Sequence, residues 1–217
     1  MGKTSTIEVL YEDNHLIAVF KPHRVLTQGD ETGDESLFED VKAYIKERDG
    51  KPGNVFLGLL HRLDRPAAGV VLFAKTSKGA SRISEQFRNR EVKKIYRAII
   101  EGFPGKEKAH LVHQIDTEKG KRKAELDYEL LRTNEEISLV EVELHTGRKH
   151  QIRIQMSEIG HPLLGDSRYG AKSVFYKGAI ALLAYEIRFR HPVKQDEWIT
   201  VTLPDKFGTF REISWKR

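Results

Sequence analysis

The segment Val140-Glu141-Val142-Glu143-Leu144 alternates apolar and acidic residues with a period of two. A pleated strand has that period and a helix does not, so this stretch must bury one face and wet the other. Such a strand needs neighbours for its backbone N–H and C=O groups. Glu125–Leu131 provides one across the polar turn Thr133-Asn134-Glu135, which predicts a hairpin with Glu136–Leu144. Similar strand signals occupy Ile7–Tyr11 and His15–Phe20 around Glu12-Asp13-Asn14, the apolar run Val70–Ala74, Val92–Glu101, Gly178–Phe189 and Trp198–Leu203. Three stretches have helical spacing instead. One follows the capping box of Ser36 and Glu39, with Phe38, Val41 and Ile45 on one side, and ends at Gly50 and Pro52. The others are Ser77–Asn89, with Ala80, Ile83 and Phe87, and Lys149–Ile159, closed by Gly160 and Pro162. Asn54–Leu60 fits neither period, and Gly105–Lys123 reads as a basic excursion with one short strand at His110–Ile115. Strands dominate, so the predicted class is α+β, a large mixed or antiparallel sheet with flanking helices. With 217 residues, no internal repeat and no Pro- or Ser-rich linker, residues 1–217 are expected to form a single domain.

Composition removes several kinds of function. There is no cysteine, which excludes disulfides, thiol catalysis, zinc fingers and Cys-ligated clusters. No apolar run approaches the roughly 18–20 residues of a membrane span, and the first residues lack the apolar core of a secretory signal. A cytoplasmic, monomeric protein is expected. The 37 basic and 32 acidic residues are unevenly placed. Asp30 to Asp40 holds six acids and no base, whereas Arg82 to Arg97 holds six bases and two acids, and Lys119 to Lys123 reads Lys-Gly-Lys-Arg-Lys. Such segregation suits a polyanionic partner on one face, although charge runs also serve simply to solvate a surface.

Two segments carry candidate chemistry. His61-Arg62-Leu63-Asp64-Arg65-Pro66-Ala67-Ala68-Gly69 sets a carboxylate between two arginines in a loop just before the apolar run. A carboxylate so flanked is suited to act as nucleophile or base; it can equally cap a turn or pair with Arg62 or Arg65. His145-Thr146-Gly147-Arg148-Lys149-His150-Gln151-Ile152-Arg153 runs from a strand through a tight turn into a helix. It offers an exposed helix start for phosphate, and it places Arg153 at the edge of the Ile152, Met156 and Ile159 stripe. His61, His145, His150 and His161 beside Asp64 and Asp166 invite a metal site. No His-Glu-x-x-His is present and none of these histidines has i, i+4 spacing, so no metal is expected. Phosphate-binding Gly-x-x-x-x-Gly-Lys-Ser/Thr and Gly-x-Ser-x-Gly elements are absent as well.

Taken together, these segments resemble the RluA-type family of pseudouridine synthases. The resemblance covers nearly the whole chain. It runs through His61-Arg62-Leu63-Asp64 with Gly69, Lys94-Ile95-Tyr96-Arg97-Ala98, Thr146 to Arg153, Gly160-His161-Pro162-Leu163-Leu164-Gly165-Asp166 with Tyr169-Gly170, and Phe189-Arg190-His191-Pro192. It implies the pseudouridine-synthase fold, with the active site in a cleft across the sheet. Asp64 then corresponds to the catalytic aspartate, Tyr96 to the tyrosine against the target base, and Arg153 to the arginine that pairs with the aspartate. Arg62 corresponds to the residue that fills the gap left by a flipped nucleotide, with Arg148 and His61 as further substrate-binding residues. Two departures stand out: Ala67-Ala68 replaces the common Thr-Ser, and Gln155 stands where His is frequent. No separate N-terminal RNA-binding module is expected. The implied partner is structured rRNA or tRNA, and the implied reaction turns a uracil about its sugar without redox cofactor or ATP. The competing expectation is a non-catalytic RNA-binding module.

Overall fold

The structure is a computed structural model that describes residues 7–207 except 51, 135, 177 and 195, together with Phe210. The chain divides into two compact units: residues 1–92 with 186–203, and residues 93–185 with 204–217. The class is α+β, with antiparallel strand pairs and three α-helices among the described residues.

In the first unit β1 (Val9–Glu12) pairs with β2 (Leu16–Lys21), and β2 pairs along its length with β4 (Ala68–Ala74). Every residue of β4 is buried, which explains why its sequence is a continuous apolar run. The ambiguous Asn54–Leu60 contributes only the two-residue β3 (Gly58–Leu59), on the edge of β4. Helix α1 (Leu37–Arg48) starts where the capping box predicts, with Ser36 Oγ accepting from Glu39 N–H at 3.5 Å. It buries Leu37, Val41 and Ile45, and Phe38 meets Phe73 of β4 edge-on at 6.0 Å. Helix α2 (Ser77–Arg88) is capped by Thr76 and buries Ile83. The end of the unit is β10 (Trp198–Thr202), paired with β9 (Leu182–Arg190), whose residues 186–190 belong here. His191 beside it is structural. Its Nε2 meets Asp13 at 2.8 Å and its Nδ1 accepts the N–H groups of Val193 and Lys194 at 3.1 and 2.9 Å.

The second unit is an antiparallel array of β5 (Lys93–Glu101), β8 (Ile137–Leu144), β7 (Gly120–Thr133) and β6 (Lys108–Thr117), in that spatial order. The predicted hairpin of β7 and β8 is present, with a bulge between Leu130 and Arg132; Glu135 of its turn lies outside the described residues. The supposed basic excursion is corrected. Residues 108–133 form one long hairpin that reverses at Glu118-Lys119, with Gly120 at φ +83°. Its apolar side, Ala109, Leu111, Ile115, Ala124, Leu126 and Tyr128, alternates mostly with polar residues such as His110, Gln114, Glu125 and Asp127 and is split by the basic tip; the short strand expected at His110–Ile115 lies within β6. Helix α3 (Gln151–Glu158) also departs from expectation. It begins two residues late, after His150 in the left-handed region at φ 56°, and its first residue, Gln151, is buried.

Candidate active site

In the first unit, the loop between β3 and β4 presents Asp64, and neighbouring residues bind its backbone on both sides. Thr27 Oγ1 donates to the Leu63 carbonyl (2.9 Å) and accepts the Leu63 N–H (3.1 Å), all of it buried. Lys21, the last residue of β2, is wholly buried, and its Nζ donates to the carbonyls of Pro22, Val25 and Arg65 at 3.0, 2.7 and 3.3 Å. Three ammonium hydrogens thus find three acceptors. Arg24 N–H donates to the Arg65 carbonyl (2.8 Å), His23 Nδ1 to the Pro66 carbonyl (2.8 Å), and Ala67 N–H closes the turn onto the Asp64 carbonyl (3.0 Å). Burial pushes the Lys21 ammonium down to about 7, against an upward pull from the negative charge of Asp64. Asp64 itself is half-buried and Arg62 is exposed.

This clamp bears on each residue the sequence singles out in the loop. Arg65 turns to Asp34 (2.7 Å) and to the Arg24 carbonyl (3.2 Å). His61 turns inward: its Nε2 accepts Leu72 N–H at 3.0 Å and its ring lies 5.4 Å from that of Phe87. Ala67 and Ala68 are buried at the start of β4, and the turn is closed by the Ala67 backbone rather than by a hydroxyl. Gly69 opposes Lys21 in the strand register with φ +131°, a conformation that favours glycine.

The second unit holds Tyr96, Arg148 and Arg153. Tyr96 faces Val142 across β5 and β8, and Val142 faces Tyr128 across β8 and β7, so all three share the buried face of the array. Arg153 is not at the margin of its helix's apolar stripe but inside the fold, at 5% exposure. Its Nε and Nη2 fork onto Asp166 at 2.6 and 2.8 Å, and its guanidinium carbon stands 4.9 Å from the ring centre of Tyr169. Tyr169 is held in turn by His150 Nδ1 on its hydroxyl (2.8 Å) and by Ser157 Oγ on its carbonyl (2.7 Å). Helix α3 is anchored by buried amides. Gln151 Oε1 accepts from Thr146 Oγ1 (2.7 Å) and Arg148 N–H (3.0 Å), and Gln151 Nε2 reaches Gln155 Oε1 (2.9 Å). Gln155 Nε2 reaches the Leu111 carbonyl (3.3 Å), so the amide at this departure from the family pattern ties α3 to β6. Arg148 Nε donates to the Lys123 carbonyl (3.2 Å), at the base of the basic hairpin tip.

The tip itself, Lys119 through Lys123, is exposed throughout. The Arg82–Arg97 run is divided. Arg88, Arg90 and Lys93 are exposed, but Arg97 pairs with Glu141 (3.2 Å) and lies 3.5 Å over Tyr185, and Arg82 donates to the Pro192 carbonyl. Those two arginines are structural. Sequence reasoning missed Lys21, Thr27, Asp166 and Tyr169 as positioning residues. It missed the Lys94 ammonium as well, which burial pushes below the usual lysine range and which lies within 3.5 Å of where a Cβ on Gly147 would be.

The RNA pseudouridylate synthase family model matches residues 15–158. The chain belongs to this family. Among relatives, the tRNA pseudouridine synthase C of Pasteurella multocida is 34% identical over 221 residues, covering 88% of this chain and 89% of its own length. The ribosomal large subunit pseudouridine synthase C of Vibrio parahaemolyticus is 30% identical over 222 residues, covering 94% of this chain and 68% of its own. Human RNA pseudouridylate synthase domain containing 4 superposes with a TM-score of 0.78 at 22% identity, over 93% of this chain and 90% of that one. The RluA-type assignment and the fold both stand, and this pseudouridine synthase is an isomerase.

Proposed function

We propose that this enzyme converts a uridine in a loop of structured rRNA or tRNA to pseudouridine, with Asp64 as the catalytic carboxylate. The reaction breaks the N1–C1′ bond, turns the uracil and rejoins it through C5, so atoms and electrons balance within one nucleotide. It requires a carboxylate at the sugar–base junction, an aromatic surface for the base and a means of holding the base outside its stack. Asp64 serves as the first and Tyr96, by its place in the family motif, as the second, while Arg153 forks onto Asp166. Arg62, exposed beside Asp64, fills the gap left by the flipped nucleotide. Flipping costs a few kcal/mol and is cheapest in a loop, and stacking on an aromatic ring contributes about 1–3 kcal/mol per base.

The observation that carries this reading is the clamp on the Asp64 loop. Five hydrogen bonds with Lys21, His23, Arg24 and Thr27 fix the backbone of Leu63, Arg65 and Pro66. Preorganisation of this kind is worth orders of magnitude in rate when the reacting carboxylate must meet one atom, and a carboxylate that merely caps a turn has no need of it. The test is to incubate the purified chain with total RNA lacking pseudouridine and map the modification. New pseudouridine at one or a few loop uridines of rRNA or tRNA is the expected result. RNA binding with no new pseudouridine would support the non-catalytic reading instead.

A further inference from the structure

Three consecutive strands bring two imidazoles and a carboxylate to one point on the polar face of the second unit. His110 of β6 lies opposite Asp127 of β7, and Asp127 lies opposite Glu143 of β8, two residues before His145. Each oxygen of Asp127 is addressed by one ring: Oδ1 is 2.6 Å from His110 Nδ1, and Oδ2 is 2.6 Å from His145 Nε2. One ligand atom from each residue lies within 4.8 Å of the others, and no other group of three such residues converges in this way among the described residues. A second carboxylate stands behind. Glu125 Oε1 is 3.2 Å from His110 Nε2, and its other oxygen is 2.7 Å from Lys123 Nζ. A carboxylate on the outer nitrogen of a histidine orients the ring and leaves the inner nitrogen to serve as a ligand, the arrangement that supports metal-bound histidines.

We infer that His110, Asp127 and His145 form a binding site for one divalent transition-metal ion, with zinc as the first candidate and water as its fourth ligand. Two imidazoles and one carboxylate suit zinc, nickel or copper, whereas magnesium and calcium favour oxygen-only sites. Tetrahedral bonds of about 2.0–2.2 Å set ligand atoms about 3.3–3.6 Å apart. The three side chains are 35–51% exposed, so they reach that geometry by rotation without disturbing a packed core. The ion takes no part in the uridine reaction. It joins β6, β7 and the segment following β8, and so fastens the root of the hairpin whose tip carries Lys119–Lys123. Because an ion that binds only the folded state stabilises it by mass action, occupancy is read directly as a rise in melting temperature.

The experiment uses the whole chain without a polyhistidine tag, stripped of metal and titrated with zinc chloride alone by calorimetry and thermal melting. The proteins are wild type, His145→Ala, Asp127→Asn, and His113→Ala as a histidine control on the same hairpin; melts without zinc verify that each is folded. Wild type and His113→Ala should take up one equivalent and melt several degrees higher at about 100 μM zinc. His145→Ala and Asp127→Asn should bind at least about tenfold more weakly, and magnesium should leave every melting temperature unchanged. Absence of saturable uptake by wild type, or equal uptake by all four proteins, would overturn the site.

Discussion

The Asp64 loop and the β6–β7 hairpin are both rich in charge and both reach solvent, yet they are held in opposite ways. The loop is fastened from inside, by a buried lysine and a buried threonine that bond to its backbone. The hairpin is held by its own ladder and by exposed ion pairs such as Lys108–Glu129 at 2.9 Å. Buried hydrogen bonds are costly to lose, because a stranded group keeps its desolvation penalty of about 1–3 kcal/mol. Exposed ion pairs are worth about 0–1 kcal/mol and are screened by salt. Under the proposed function, the difference separates two tasks. A reacting carboxylate needs one geometry, whereas contact with a flexible polyanion needs charge density and tolerance of many geometries.

The buried Arg153–Asp166 fork belongs with the loop on the rigid side of this comparison, and breaking it should have the largest effect on stability. Arg153→Met leaves Asp166, 1% exposed, without its fork. A loss of about 3–5 kcal/mol is expected by chemical denaturation; a loss under 1 kcal/mol would place this pair among the dispensable ones. Lys21→Met comes next. It strands three carbonyls, so about 1–3 kcal/mol should be lost, and pseudouridine formation should slow at least about tenfold as the loop loosens.

The sign of the pH effect at Lys21 also follows. Its folded pKa, about 7, lies below that of an unfolded lysine, about 10.4. Below pH 7 both states hold the proton. Between pH 7 and 10 the unfolded chain holds more, so wild-type stability rises relative to Lys21→Met by up to about 1.4 kcal/mol per unit. Denaturation of both proteins at pH 6.5 and 9 measures this, and a difference that is constant with pH would remove the buried ammonium from the account.

The hairpin should give the smallest effect on stability and a large one on RNA affinity. Replacing Lys119, Lys121 and Arg122 by Gln should change stability by no more than about 0.5 kcal/mol. The slope of log affinity against log salt should fall by about 0.7–0.9 for each phosphate no longer neutralised. An unchanged slope would show that the tip does not touch RNA.

What was legible in the sequence divides along the same line. Val140 to Leu144, Val70 to Ala74 and the Ser36–Glu39 box were readable because local burial and capping dictate them. Strands at His110–Ile115 and Glu125–Leu131 were readable too, but their union into one hairpin over residues 108–133 was not, because the basic, glycine-containing segment Lys119–Lys123 between them reads as a loop. Asp64 stood out through its flanking arginines, while the residues that clamp it did not. A lysine is ordinarily a surface residue, and nothing local shows that Lys21 lies buried among three carbonyls. The partnership of Arg153 with Asp166 and that of His110 with Asp127 are likewise tertiary facts, set by register and packing rather than by spacing.

The separation of chemistry from affinity is tested most directly by Asp64→Asn, assayed for pseudouridine formation, RNA affinity and thermal melting on one preparation. Asparagine retains the size of the side chain and its ability to cap a turn, but removes the charge and the nucleophilic oxygen. Turnover is expected below about one thousandth of wild type, with melting unchanged and RNA bound as tightly or slightly more so. Appreciable turnover by a well-folded Asp64→Asn would contradict it.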